Sequence, residues 1–185
     1  MLQLLRFLLV LVETLSTNAI MMTALPMLFS VLEYTLGTAT SDLIELFMED
    51  SLQLWNRVCH LPSITYSETM HSLFQVLLPL YSKEMNCFNS VMGIIDAYLD
   101  LGGGAFLQVY QSTVATMYST LLGVVSVKDL RRLTTSMHIL LVMYPEQGVE
   151  IIAPSIGRVL GEIYLNWTQQ NERYVMVNDD DDDSQ

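Results

Sequence analysis

Apolar residues at helical spacing run through this chain in paired stretches, and the pairing recurs about every forty residues. Helix-opening segments stand near Leu2, Asp42, Asn86 and Lys128, and a second helical run follows each after a short break. A period in that range marks an α-solenoid of HEAT or armadillo type. Such a fold buries a continuous seam between stacked helix pairs and leaves two long surfaces open to other macromolecules. The period therefore points to binding and away from catalysis.

The punctuation between runs supports the pairing. Residues 1–15 form a first helix that breaks at Thr17-Asn18, and residues 20–36 form its partner, with Pro26 early in the run and Gly37 as the stop. Thr40-Ser41 caps the next helix, where Asp42 and Glu45 complement the dipole of the first turn. It extends to about Cys59, followed by the turn His60-Leu61-Pro62-Ser63 and a helix opened by Ser67 and ending near Pro79. Residues 86–99 open the third pair, and Gly102-Gly103-Gly104 acts as a hinge or tight turn. These glycines are not a phosphate-binding loop, because neither a preceding strand nor a following Lys-Ser/Thr accompanies them. Ser126-Val127-Lys128-Asp129 is a weak capping box opening residues 128–143, and residues 147–164 form the last partner, with a kink expected at Pro154. Beyond Trp167 the helical pattern fades. No strand-like alternation persists, so the fold class is all-α.

Composition raises the question of a membrane. Hydrophobic residues make up 51% of the 185 residues, charged ones only 15%, and the mean hydropathy is +0.38. The stretch 101–127 carries no charge at all. Its pattern is two-faced, however. Phe106, Tyr110, Val114, Met117, Tyr118 and Leu121 form one stripe, opposite Gln108, Gln111, Ser112, Ala115 and Ser119. A spanning helix is apolar nearly all round over ~20 residues, so the expectation is a water-exposed solenoid, with a multi-pass membrane protein as the alternative. The N-terminal Leu-rich stretch is not a signal peptide by pattern, because Arg6 interrupts the apolar run and no small-residue cleavage site follows.

The chemistry of catalytic or metal centres is missing from the sequence. His60, His71 and His138 fall in different elements without ligand spacing. Cys59 and Cys87 belong to no metal or redox motif and read as buried thiols. Glu49 and Asp50 are neighbours on a helix and diverge by ~100°, so they do not pair. Trp55 reads as a core tryptophan, with a place in a pocket between outer helices as the other reading. The net charge of −12 is partly the run Asp179–Asp183, and the eight Lys and Arg are scattered, which argues against nucleic acid. No catalytic residue, cofactor or metal site is expected.

The segment Leu46-Phe-Met-Glu-Asp-Ser-Leu-Gln-Leu-Trp55 resembles the Leu-Leu-Glu-Asp-Gly-Leu-Glu-Leu-Trp stretch of the importin-11-like β-karyopherins, which are HEAT-repeat nuclear transport receptors. The likeness continues through residues 73–80, 88–98 and 106–110 to about Glu162, and includes the opening Met1-Leu-Gln-Leu-Leu5. It implies a receptor segment active between cytoplasm and nucleus and at the nuclear envelope. The implied partners are protein cargo, phenylalanine-glycine nucleoporins and the GTPase Ran. Those receptors are several times longer and this chain resembles an internal stretch towards their C-terminal part, so the repeats that grip Ran have no counterpart in it.

The expected architecture is an α-solenoid of about four HEAT-type antiparallel helix pairs over residues 1–166, with a disordered acidic tail over residues 167–185. The second helices of the pairs carry Glu33, Glu68, Glu84, Glu146, Glu150 and Glu162 against only Lys83 and Arg158. That acidic surface suits a basic cargo by long-range attraction. A generic scaffold with no transport role is the competing reading.

Overall fold

The computed structural model describes residues 2–16, 19–37, 41–62, 64–81 and 87–179. In them lie α1 (Leu2–Leu15), α2 (Ala19–Gly37), α3 (Ser41–Cys59), α4 (Glu68–Leu77), α5 (Phe88–Val124), α6 (Val127–Met143) and α7 (Pro145–Asp179), with no strand among the described residues. The breaks at Thr17-Asn18 and the cap residue Thr40 lie outside the described residues, as do the side chains of Ser41, Asp42 and Glu45. Ser67 does cap α4: its Oγ accepts from the Met70 N–H at 3.3 Å. Ser126 caps α6 in the same way, accepting from the Asp129 N–H at 3.2 Å. Its hydroxyl then donates to Asp129 Oδ2 at 2.6 Å. The carboxylate thus binds the cap's own side chain, and only half of a capping box forms. α2 and α7 continue through Pro26 and Pro154, and Pro145 occupies the first position of α7, where its missing N–H is harmless. The α7 backbone is helical as far as Asp179, past the boundary at residue 167 expected from the pattern, and residues 180–185 lie outside the described residues.

α5 is two helices joined at one residue. Gly103 has φ 52° and ψ −136°, and it is the only described residue with positive φ. The chain reverses there. Ser136 Oγ is hydrogen-bonded both to Asp96 and to Tyr118 Oη, yet a straight helix would hold residues 96 and 118 roughly 33 Å apart. The three glycines divide the work. A side chain on Gly102 would stand 2.6 Å from Phe106 Cβ and 2.9 Å from the Tyr66 ring, so its absence lets both close over the turn. Gly103 supplies the backbone conformation, whereas a Cβ on Gly104 would meet nothing within 4 Å.

With α5 folded back, the helices sort into two layers. α1, α3, the first arm of α5 and α6 stack in one; α2, α4, the second arm and α7 stack in the other. First helices begin 39, 47 and 39 residues apart. The same interval recurs in hydrogen bonds within the second layer. Tyr110 Oη donates to the His71 carbonyl, Tyr81 Oη to Thr120 Oγ1 and Gln111 Nε2 to Glu150 Oε2, each pair 39 residues apart. A constant offset means that helices of one layer run parallel, one repeat apart.

The core follows from the apolar stripes. Leu5, Leu8 and Val12 of α1, Leu52, Trp55 and Val58 of α3, and Leu133, Met137 and Leu140 of α6 are buried between layers. At its centre is an aromatic cluster. Phe74 of α4 lies 4.8 to 4.9 Å, centroid to centroid, from Tyr98, Phe106 and Tyr110 on the two arms of α5, and Tyr98 meets Trp55 of α3 edge to face at 6.0 Å. Such pairs contribute about 0.5–1.5 kcal/mol each beyond area burial. The hydroxyls are placed too: Tyr98 Oη donates to the Met70 carbonyl and Tyr144 Oη to the Leu99 carbonyl. Trp55 is wholly buried, as the core reading had it, and its indole N–H has no hydrogen-bond partner among the described residues.

The three glycines should separate under substitution. Gly103→Ala places a Cβ in a glycine-only region and 3.0 Å from Tyr144 Oη, and should cost about 2–3 kcal/mol. Gly104→Ala should stabilise by up to about 1 kcal/mol. Urea unfolding of the two variants checks the order.

Candidate binding surfaces

Inter-repeat contacts engage three of the five described basic side chains. Arg6 of α1 pairs with Asp50 of α3 at 3.3 Å, and Arg57 of α3 pairs with Glu13 of α1 at 3.1 Å. Both arginines are well exposed, so these pairs set register more than they stabilise. The third junction is tighter. Asp96 on the first arm of α5 accepts from Arg132 Nη2 and from Ser136 Oγ, both on α6, and Ser136 shares a hydrogen bond with Tyr118 on the second arm at 2.8 Å. Burial is the main cause pushing the Tyr118 phenol far above its ordinary value, so it remains a neutral hydrogen-bonding group at any physiological pH.

The layers consequently differ in charge. The described cations Arg6, Arg57, Lys128, Arg131 and Arg132 all belong to the first-helix layer. The second-helix layer exposes Glu33, Glu68, Glu146 and Glu150 and has no Lys or Arg side chain among the described residues. Of the other acidic-surface residues expected from sequence, Glu84 and Glu162 lie outside the described side chains, with their counter-charges Lys83 and Arg158. Between Glu150 and the second arm of α5 is a concavity of about 320 Å³ lined by Gln108, Gln111, Ser112 and Ile151. Amides and a hydroxyl beside a carboxylate can hydrogen-bond an extended chain while attracting positive charge.

The first-helix layer has a different opening. A groove of about 460 Å³ spans the end of α3, the first arm of α5 and α6. Leu61, Ile64, Ala97, Leu101, Ile139 and Met143 form its apolar walls, with Asp100 and His60 among its polar lining. Sequence reasoning offered Trp55 for a pocket between outer helices. The pocket exists, but Trp55 is sealed in the core and takes no part in it. The groove's residues come from three repeats, and no local spacing in the sequence brings them together.

The histidines stay apart. His60 is exposed with its Nδ1 against the Asn56 carbonyl at 2.7 Å, His71 lies in the aromatic cluster with its Nδ1 2.9 Å from Tyr66 Oη, and His138 is exposed on α6. Glu49 and Asp50 diverge: Glu49 accepts from Gln53 while Asp50 faces Arg6. Among the described residues no group of three or more His, Cys, Asp or Glu gathers as a metal site. Cys59 and Cys87 are buried and form no disulfide. Among the described residues, α5 is the one helix long and apolar enough to cross a membrane by length and composition, yet 61% of its apolar window is buried inside the fold and the chain reverses at Gly103.

What these layers define is an all-α solenoid of stacked helix pairs, a class of fold that leaves two long surfaces open. The match with known families narrows it. The family model described as importin-11-like, TPR repeats covers residues 2–177, and the chain belongs to that family. No curated protein and no solved structure matches it. Though the description names TPR repeats, the observed spacing of 39 to 47 residues is nearer to that of HEAT repeats than to the roughly 34 residues of a TPR.

Two consequences are measurable. Asp96→Ala leaves Arg132 and Ser136 without their shared acceptor and should cost about 2–3 kcal/mol in chemical unfolding. Arg6→Ala, an exposed pair, should cost less than about 1 kcal/mol. Separately, burial raises the Cys59 thiol well above its ordinary value. A neutral buried thiol is unreactive, so iodoacetamide at mildly alkaline pH should modify Cys59 only after denaturation, as read by mass spectrometry of the peptide.

Proposed function

We propose that this chain is a non-catalytic segment of a nuclear transport receptor, whose second-helix layer binds basic stretches of protein cargo. The observation that carries this reading is the separation of charge. Every described cation sits on the first-helix layer, three of them in ion pairs between repeats, while the second layer presents acidic side chains without a described counter-charge. Like-signed carboxylates spread over several repeats generate an attractive field for a polybasic chain and speed its capture at low salt. The amide-lined concavity beside Glu150 then offers short-range hydrogen bonds to the captured chain.

A second surface supports a nucleoporin reading. The groove across α3, α5 and α6 has apolar walls and room for an aromatic side chain, which is the chemistry of a phenylalanine-glycine repeat. Residues 1–166 form the binding segment in this proposal, and residues 167–185 an acidic extension. The receptor works between cytoplasm and nucleus, at the nuclear envelope. Ran, a partner implied by the likeness to longer receptors, is assigned no contact with either surface.

Fluorescence anisotropy with a Lys/Arg-rich peptide, a neutral scrambled peptide and a phenylalanine-glycine peptide tests the assignment. Glu146→Lys with Glu150→Lys should weaken the basic peptide by roughly tenfold, the equivalent of about 1.4 kcal/mol, and flatten its salt dependence. Glu49→Lys on the opposite layer should change it less than about twofold. If neither the basic nor the phenylalanine-glycine peptide binds, the transport reading fails and a generic scaffold takes its place.

A further inference from the structure

Polar side chains on the second-helix layer line up in repeat register. Three hydrogen bonds fix an offset of 39 residues between neighbouring helices of that layer, across α4, the second arm of α5 and α7. At that offset Thr69 of α4, Gln108 of the arm and Gln147 of α7 are counterparts, and all three are exposed. One turn along, Ser72, Gln111 and Glu150 form a second row, in which Gln111 Nε2 donates to Glu150 Oε2 at 2.8 Å. Five of these six side chains are amides or hydroxyls. The concavity of about 320 Å³ between the arm and α7 is lined by Gln108, Gln111 and Glu150, so members of both rows border it. Glu68 and Glu146 are also counterparts, two repeats apart and exposed. The arm between them has no charged residue from Leu101 to Val124.

We propose that these rows hold a cargo segment with an extended main chain, laid crosswise over α4, the arm and α7, with a Lys or Arg towards each end. This rests on the reading of the second layer as a surface for basic chains, and adds the conformation and spacing of the segment it takes. A glutamine amide offers a donor and an acceptor, as a peptide group does, so it matches main chain whatever side chains the segment carries. Packed helices lie about 8–10 Å apart. A polyproline-like chain rises about 3.1 Å per residue with about three residues per turn, so each of its turns advances by one helix. The same face of the chain then meets each rung in succession. Glu68 and Glu146 are two helices apart, roughly 16–20 Å, a span that about six extended residues cover. Basic residues about six positions apart therefore each reach a carboxylate, while the uncharged arm meets main chain. A helical segment does not fit, because six helical residues span only about 9 Å and their peptide groups already bond within the helix.

Fluorescence anisotropy on the full chain at low salt tests this with three peptides. Two share one composition: in the first, two arginines stand six positions apart across an uncharged spacer, and in the second they are adjacent. The third is the first with its spacer amides N-methylated, which removes their donors. The spaced peptide should bind roughly fivefold tighter than the adjacent one, and N-methylation should remove that advantage. Glu68→Gln should weaken the spaced peptide roughly fivefold and the adjacent one less than about twofold. Gln108→Ala with Gln147→Ala, at exposed positions whose folding circular dichroism checks, should also bring the spaced peptide down to the adjacent one. If both arginine peptides bind equally, long-range attraction alone accounts for binding: the ladder is overturned and the cargo reading stands. A spaced peptide that is preferred yet indifferent to N-methylation overturns it too, since charge spacing without main-chain contact is then sufficient. If no peptide binds, this inference and the cargo reading fall together.

Discussion

The reversal of the chain at Gly103 is the constraint on which the remaining packing rests. Residues 88–124 would otherwise be one long apolar helix with no way to bury its stripe. Folded back, they become two arms that present Tyr98, Phe106 and Tyr110 to the single ring of Phe74. α3 and α6 then flank the first arm, and α4 and α7 flank the second. A side chain on Gly103 would oppose this through backbone conformation, and one on Gly102 by displacing Tyr66 and Phe106. Neighbouring glycines thus protect the same turn by different physics.

Stacking also determines how charge is distributed. Parallel helices one repeat apart bring Arg6 to Asp50, Glu13 to Arg57 and Asp96 to Arg132. Those contacts draw basic residues into the first-helix layer as register pins. The second layer is joined instead by hydrogen bonds from the uncharged donors Tyr81, Tyr110 and Gln111, the last of them to Glu150, so no described cation neutralises the exposed glutamates of that layer. The two surfaces of the scaffold therefore differ because their seams are built from different bonds, and the proposed division between cargo and nucleoporin surfaces follows from that difference.

Much of the architecture was legible from local signals. Ser67 and Ser126 precede apolar runs and cap them, Gly37 ends α2, and the stripe from Phe106 to Leu121 is buried along its length. The register of helical spacing survives in any context, which explains why these readings transferred. Helix extent past residue 167 did not follow the pattern: α7 continues to Asp179, because polar residues such as Gln and Glu propagate a helix as well as apolar ones do. The glycine run was legible as a turn, but not as one residue of reversal beside one of close packing, since that division depends on where Tyr66 and Tyr144 lie.

The sequence by itself determined the all-α class, the interval of about forty residues and the acidic bias of the second helices. These depend on residue type and spacing along the chain. Tertiary structure alone decided that Trp55 is sealed in the core, that Ser136 ties α6 to both arms of α5, and that a groove forms across α3, α5 and α6. Each of those joins residues from different repeats. The physical reason is that a repeat cannot bury its own apolar face, so its partners are supplied by stacking.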